Sequence, residues 1–325
     1  MTSLYAMTKV EPVAQRWPPL LRLLWRLEAA VLGAFWAFMA VLPAGAASEV
    51  GARLMRLIGP RLRKSSHVRR NLALAFPELD GRRREALVAG VWSETGRVLA
   101  EYPHLSRILD EVPGAHLEIV RDEAFERARE LRKAAIFVTA HVGNWELAAG
   151  VAARLGHPCT AVYNPPPNPF IHRMLQRQRR QLGCRFIDKR AGVMRLAREL
   201  REGRHLGLLL DQRVDGGEMM PFFGVDAETT LVPALLSLRT GCDLTPVRIE
   251  RLGAARFRLR VYRAIAPDPS LGQAREQARE MTNRLLTLFE SWIRECPESW
   301  FCTKRRWPKS VEPGRVAPRP SLVTP

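Results

Sequence analysis

The hexapeptide HVGNWE places His141 and Glu146 five residues apart. These two residue types suit proton transfer. A neutral imidazole takes a proton from a hydroxyl, while a carboxylate on its other nitrogen fixes the tautomer and steadies the imidazolium that forms. Spacing alone decides nothing: seven histidines and 33 acidic residues in 325 make about 0.7 such pairs by chance. On a regular helix, positions i and i+5 diverge by about 140° at roughly 100° per residue. The pair meets only if His141 precedes the helix and Glu146 opens it. Gly143 supplies the backbone freedom such a turn needs. The bland alternative is a histidine packed at a strand end and a glutamate that complements a helix dipole.

The elements that must position this pair follow from periodicity. Ala135 to Thr139 is an apolar run that reads as a buried strand, and positions 144 to 155 read as a helix. The alternation continues with strands at 159–163, 185–188 and 205–210, and helices at 170–182 and 192–201. Strands alternating with helices of this length predict an α/β fold, a mostly parallel central sheet flanked by helices. In such sheets ligands sit beyond the carboxyl ends of the strands, where His141 falls. A loop is predicted over 212–230, then a helix at 233–239, a hairpin of strands at 244–251 and 256–262, and a long helix over 273–295. Earlier in the chain, Asp80 is placed to cap a helix through Val98, and a second helix is predicted over 122–133. The Pro-rich segment 310–325 is expected to be a disordered tail.

Composition bounds the partners. The chain carries 51 Lys and Arg against 33 acids, a formal charge of +18. That excess favours a membrane surface, nucleic acid or a phosphorylated ligand without choosing among them. Five scattered cysteines with no CxxC argue against a disulfide framework or zinc ribbon, and fit a reducing compartment. No HExxH, Walker loop or GxGxxG occurs, which removes the commonest metalloprotease, nucleotidase and dinucleotide readings.

Residues 29–47 carry no charge. A spanning helix needs about 20 apolar residues, so this stretch qualifies marginally as an N-terminal anchor. A buried or interfacial helix and a cleaved signal peptide are the alternatives. The basic cluster Arg53, Arg56, Arg61, Arg63, Lys64, Arg69 and Arg70 follows it, which favours a body on the cytoplasmic side. The expected organisation is an N-terminal segment at 1–19, an anchor at 20–48, a catalytic domain at 49–309 and a tail at 310–325.

Four further stretches join HVGNWE: RRNLALAFPEL at 69–79, YNPPPNP at 163–169, GLLLDQRVDGGEMMPFFGVDAETT at 207–230 and PESWFCTKRRWP at 297–308. Together they resemble the lysophospholipid acyltransferase superfamily with its HX4D/E block, and within it the bacterial late acyltransferases of lipid A biosynthesis. The resemblance covers roughly residues 20 to 309. It implies His141 as general base and Glu146 as its orienting partner; geometry alone offers backbone N–H groups near Gly143 as an oxyanion site. It implies Arg179 as a phosphate contact, Asp211 as a group ordering the loop or the acceptor, and Arg213 as a weaker contact. Asn164 stands where the family commonly has arginine, so any anion contact there is lost or supplied from elsewhere. Met219, Met220, Phe222 and Phe223 are candidates for an acyl channel, and Arg305 and Arg306 for headgroup contacts.

The resemblance further implies an acyl-carrier-protein thioester as donor, a lipid A precursor or other phosphorylated glycolipid as acceptor, and anionic membrane lipids as surroundings. No metal, no redox cofactor and no nucleic acid are expected. The location implied is the bacterial inner membrane. Rival expectations are the same chemistry on a lysophospholipid, a phosphatidylinositol mannoside or an amino-acid lipid, and a non-catalytic basic module that binds membranes or nucleic acid.

Overall fold

In the computed structural model, residues 17–110, 116–120, 123–130, 134–154 and 156–313 are described. Two helices lead, α1 (Pro18–Val41) and α2 (Ala44–Ile58), parted at Pro43. Proline has no N–H to continue the helical ladder and pushes the residue before it to extended backbone, so Leu42 sits at ψ 153°. The uncharged stretch is therefore two helices rather than one. Then come α3 (Ser65–Ala75), α4 (Gly81–Glu101) and the short α5 (Leu105–Leu109). Asp80 caps α4 by accepting from the Arg83 N–H at 2.8 Å. α2 and α4 cross where Gly51 meets Gly96: a Cβ on Gly51 would lie 2.4 Å from the Gly96 carbonyl oxygen.

The α/β elements follow as β1 (Leu117–Val120), α6 (Glu123–Glu130), β2 (Ile136–Thr139), α7 (Glu146–Arg154), β3 (Cys159–Tyr163) and α8 (Pro169–Arg179). Next are β4 (Arg185–Asp188), α9 (Val193–Arg201), β5 (His205–Leu209), β6 (Glu218–Phe222), β7 (Val225–Thr229) and α10 (Val232–Thr240). The last are β8 (Leu244–Gly253), β9 (Arg256–Val261) and α11 (Ala274–Glu295). Seven strands form one sheet in the order β1-β9-β8-β2-β5-β3-β4, parallel except for the antiparallel β8–β9 pair. The fold is the α/β class that the alternation predicts. Apolar side chains fill both faces. One core lies against α3, α4, α9, α10 and α11, and the other against α1, α5, α7 and α8.

Several elements depart from the sequence reading, among them β1 and the segment 212–230. β1 pairs parallel with β9 and has no counterpart in that reading. The segment 212–230 is not a plain loop: β6 and β7 pair as a hairpin. Its turn is Phe223-Gly224, both at positive φ, 53° and 73°. Such turns favour Asn-Gly, so a phenylalanine there hides the signal. Tertiary contacts hold it instead: the Phe223 N–H donates to Glu290 at 2.6 Å, and its ring packs on Phe76 and Trp300. The expected tail lies, from residue 314 onward, outside the described residues.

Candidate active site

β2 and β5 are neighbours in parallel register, with Ile136 opposite Leu206 and Thr139 opposite Leu209. Continuing each strand by two residues brings His141 opposite Asp211, both at the carboxyl edge of the sheet. The Asp211 carboxylate accepts from His141 twice, at 3.0 Å from the backbone N–H and at 2.6 Å from ring Nδ1. Its second oxygen accepts from Trp300 Nε1 at 2.9 Å. Burial pushes the Asp211 carboxyl upward, but the facing imidazole and these hydrogen bonds outweigh it, and its pKa lies below the usual aspartate value. With Nδ1–H committed to Asp211, Nε2 is left to accept. The Gln212 amide occupies it at 3.1 Å, and Lys304 donates to the other end of that amide at 3.1 Å.

Glu146 does not touch the imidazole. Its carboxylate takes a bidentate pair from Arg179, at 2.9 and 2.6 Å, and a third bond from the Tyr102 hydroxyl at 2.8 Å. The Arg179 guanidinium also lies over the rings of Tyr163 and Phe186, at 5.3 and 4.9 Å. Burial works against the Glu146 charge, and the Arg179 charge with these hydrogen bonds outweighs it, so the carboxyl stays below its usual pKa. The expected His141–Glu146 contact is corrected: the carboxylate that meets the imidazole is Asp211, and Glu146 is taken up by Arg179 and Tyr102. Glu146 and Arg179 both line the cavity, with the guanidinium paired to that carboxylate and set against two rings.

Each remaining residue of the hexapeptide has a physical reason. Gly143 has φ +55°, and a Cβ there would fall 2.4 Å from the Ile249 carbonyl oxygen. It is buried under the turn rather than set in the cavity wall. Asn144 donates to buried Glu101 at 2.8 Å. Val142 bridges antiparallel to Trp300, and the Phe301 N–H donates to the His141 carbonyl at 2.8 Å. Trp145 meets the imidazole edge-on at 5.2 Å and packs on Phe301. The closing block thus clamps the turn that carries His141. The first block ties it down in turn, since Asn71 donates to the Cys302 and Lys304 carbonyls and accepts from the Arg306 N–H. Arg306, 2% exposed, donates to the Glu228 carbonyl and to Thr229. It braces the hairpin and is not placed for a headgroup.

A cavity of about 840 Å³ opens over His141. One arm runs between the sheet and α7, where Ala148, Ala149 and Ala152 face the row Phe137, Gly207 and Ala161. Small side chains on both walls leave the hollow. Met220, Phe222 and Phe223 are buried in the core on the other side of the sheet, and none of them lines this cavity. Met219 is exposed. The expected acyl channel is therefore not built from those four. The mouth is cationic: Lys64, Lys189, Lys304 and Arg305 line it, together with exposed Asn164 and with Arg213, which pairs with Asp215 at 2.5 Å. Much of Lys304 meets solvent, yet lost hydration and the nearby charges of Lys189 and Lys64 hold its ammonium below the usual lysine value.

Sequence reasoning missed the His141–Asp211 contact, Gln212 and Trp300. The signal for the first was a shared offset: both residues end apolar strands, and only adjacency of those strands was lacking. No group of three or more His, Cys, Asp or Glu suited to a metal occurs among the described residues.

A family model described as bacterial lipid A biosynthesis acyltransferase matches residues 20–309. The chain is 24% identical over 281 residues to the lipid A biosynthesis palmitoleoyltransferase of Escherichia coli (strain K12), covering 85% of this chain and 89% of that protein. It matches a lipid A biosynthesis acyltransferase of Shigella flexneri to the same extent, 24% over 281 residues. It is also 24% identical over 199 residues to the phosphatidylinositol mannoside acyltransferase of Mycolicibacterium smegmatis, across 60% of this chain and 63% of that protein's length, so it spans less than two thirds of that relative.

Proposed function

The chain belongs to the bacterial lipid A biosynthesis acyltransferase family, and from that premise we propose that it moves a fatty acyl chain from an acyl-carrier-protein thioester to a hydroxyl of a lipid A precursor. The observation that carries this reading is the His141–Asp211 pair at the head of an apolar slot. In the resting site Gln212 holds Nε2; an acceptor hydroxyl displaces it. His141 Nε2 takes the hydroxyl proton as the oxygen attacks the thioester carbonyl carbon. The C–O bond forms, the C–S bond breaks, and the imidazolium returns the proton to the leaving thiolate. Asp211 keeps Nδ1 protonated and steadies the transient positive charge. Glu146 and Arg179 brace the turn from the wall of the cavity. The backbone N–H of Trp145, the residue of the 143–145 turn that lines the cavity, is the proposed oxyanion donor.

The acyl chain occupies the hollow under α7. Phosphate on the acceptor is drawn to Lys64, Lys189, Lys304 and Arg305 at the mouth, while Arg179 stays paired with Glu146. The +18 charge steers an acidic carrier protein to the same mouth. The working location is the inner membrane with the domain on the cytoplasmic side. A second reading, the same chemistry on a phosphatidylinositol mannoside, is favoured only by the mycobacterial relative.

The test is acyl transfer by purified protein, read by mass spectrometry of the acceptor. Wild type adds one acyl chain to a lipid A precursor. His141→Ala loses about 10²- to 10⁴-fold in rate, the usual worth of a positioned base. Equal turnover by both removes His141 from the mechanism, and transfer to the mannoside alone moves the assignment to the second acceptor.

A further inference from the structure

We infer that α1 and α2 lie along one leaflet of an anionic bilayer and that α1 does not cross it. α1 is 24 residues long and apolar enough to span. At 1.5 Å per residue it would reach about 36 Å, more than the roughly 30 Å of a hydrocarbon core. The body, however, already holds one face of it. Glu28, Leu32, Trp36 and Met39 are buried. Asn168 donates to the Trp25 carbonyl at 3.0 Å and to Glu28 at 2.8 Å. Trp36 Nε1 donates to the Leu99 carbonyl, its ring stacks on Tyr102, and His104 Nε2 donates to the Met39 carbonyl. Among the described residues, the stretch ahead of the docked part is Trp17 to Leu27, 11 residues. That is about 16 Å of helix, half of what a crossing needs, and it carries Arg22 and Arg26. The sequence before it adds Lys9, Glu11 and Arg16.

The opposite face of α1 stays apolar and open. Leu23, Leu27, Val31, Phe38 and Val41 are 53%, 54%, 61%, 57% and 83% exposed. At about 100° per residue they share one stripe, centred some 140° from the docked face. Exposed Arg22 and Arg26 flank that stripe on one side. α2 repeats the arrangement: Val50, Leu54, Leu57 and Ile58 form an exposed stripe, and exposed Arg53 and Arg56 flank it. An apolar stripe with arginines along its edge matches a helix lying at the headgroup level, with acyl chains under the stripe and lipid phosphates beside the guanidinium groups. A spanning helix has no use for arginines set within its apolar length. The placement also serves the cleft. The loop that Asn168 ties to α1 carries Asn164 and Pro166, which line the cavity over His141, so a lipid acceptor reaches the base from the surface it already occupies.

Sidedness tests this directly. The full chain is given a protease-cleavable tag ahead of Met1 or behind Pro325, and sealed inside-out membrane vesicles are treated with protease. Both tags should share one fate. Protection of the N-terminal tag while the C-terminal tag is cut establishes a crossing and overturns the inference. In a second assay, purified protein is sedimented with vesicles of phosphatidylglycerol and phosphatidylethanolamine. The double substitution Leu27→Asp and Val31→Asp on the open face should weaken binding at least 10-fold with Tm unchanged. Unweakened binding overturns the inference as well. Neither readout involves acyl transfer, so a His141→Ala protein should behave as wild type in both, and failure of the proposed chemistry leaves this result standing.

Discussion

Two carboxylates flank the turn that carries His141, and they do different work. Asp211 faces the imidazole and shares its second oxygen with Trp300. Glu146, the acid of the hexapeptide, faces away and is locked by Arg179 and Tyr102. Both are buried and both are held below their usual pKa. One is coupled to the group proposed as the base, His141. The other is coupled to a guanidinium that stays charged. The contrast shows that a motif can name a residue the site needs without naming what it touches.

The sharpest way to break the contrast is to neutralise each acid in turn. Asp211→Asn removes the acceptor that fixes Nδ1–H, so turnover should fall about 10³- to 10⁴-fold with Tm nearly kept, by analogy with the loss of the orienting acid in other triads. Glu146→Gln should act first on the fold. Breaking one partner of a buried pair costs about 3–5 kcal/mol, so thermal unfolding should move far more than kcat does in the protein that stays folded. The double variant Glu146→Gln with Arg179→Met should recover part of that loss, because no uncompensated charge remains. If Glu146→Gln instead lowered kcat as far as Asp211→Asn at unchanged Tm, the two acids would share one role.

How far the sequence carried this distinction is instructive. The alternation of strands and helices was legible, down to β3 at 159–163 and β4 at 185–188, because period and turn residues are local properties. His141 was legible for the same reason. Its partner was not, because adjacency of β2 and β5 is a fact of topology, and 70 residues separate His141 from Asp211. The Phe223-Gly224 turn was invisible because distant side chains, rather than its own residue types, hold it.

The slot sharpens the contrast on the Glu146 side, since α7 starts at Glu146 and its alanines roof the hollow. A Cβ on Gly207 would meet only ordinary contacts, the nearest being Ala161 at 3.7 Å. Gly207→Leu should therefore fold and fill the arm. Transfer of long chains should drop at least 10-fold against short ones, measured by competition between acyl donors. An unchanged preference would move the chain out from under α7.

On the Asp211 side the next effect is smaller. Gln212 occupies the nitrogen proposed to accept the proton. Displacing it costs about one neutral hydrogen bond, roughly 1 kcal/mol, so Gln212→Ala should raise kcat/KM by a few fold. A fall of 100-fold would show instead that the amide swings over to serve the oxyanion.

The smallest effect sets the two edges of one sheet against each other. His141 ends β2 beside a carboxylate, whereas His205 opens β5 at the far edge, 3% exposed, with His157 edge-on at 4.9 Å. Its Nδ1 accepts from the Ala135 N–H. Burial, with His157 adding to it, lowers the His205 pKa to about 4. The folded state thus keeps this ring neutral while the unfolded chain binds a proton below about pH 6.5. Its contribution is complete above that pH and declines as pH falls towards 4, where the folded protein begins to take up the proton too. His205→Asn keeps an acceptor for the Ala135 N–H and abolishes the titration. The variant should be no more stable than wild type at pH 8, yet lose less Tm between pH 6.5 and 4.5, with turnover at pH 8 unaltered. A parallel decline of both proteins would assign the acid sensitivity in that window to the other histidines that burial holds below their usual pKa, His67, His104 and His157.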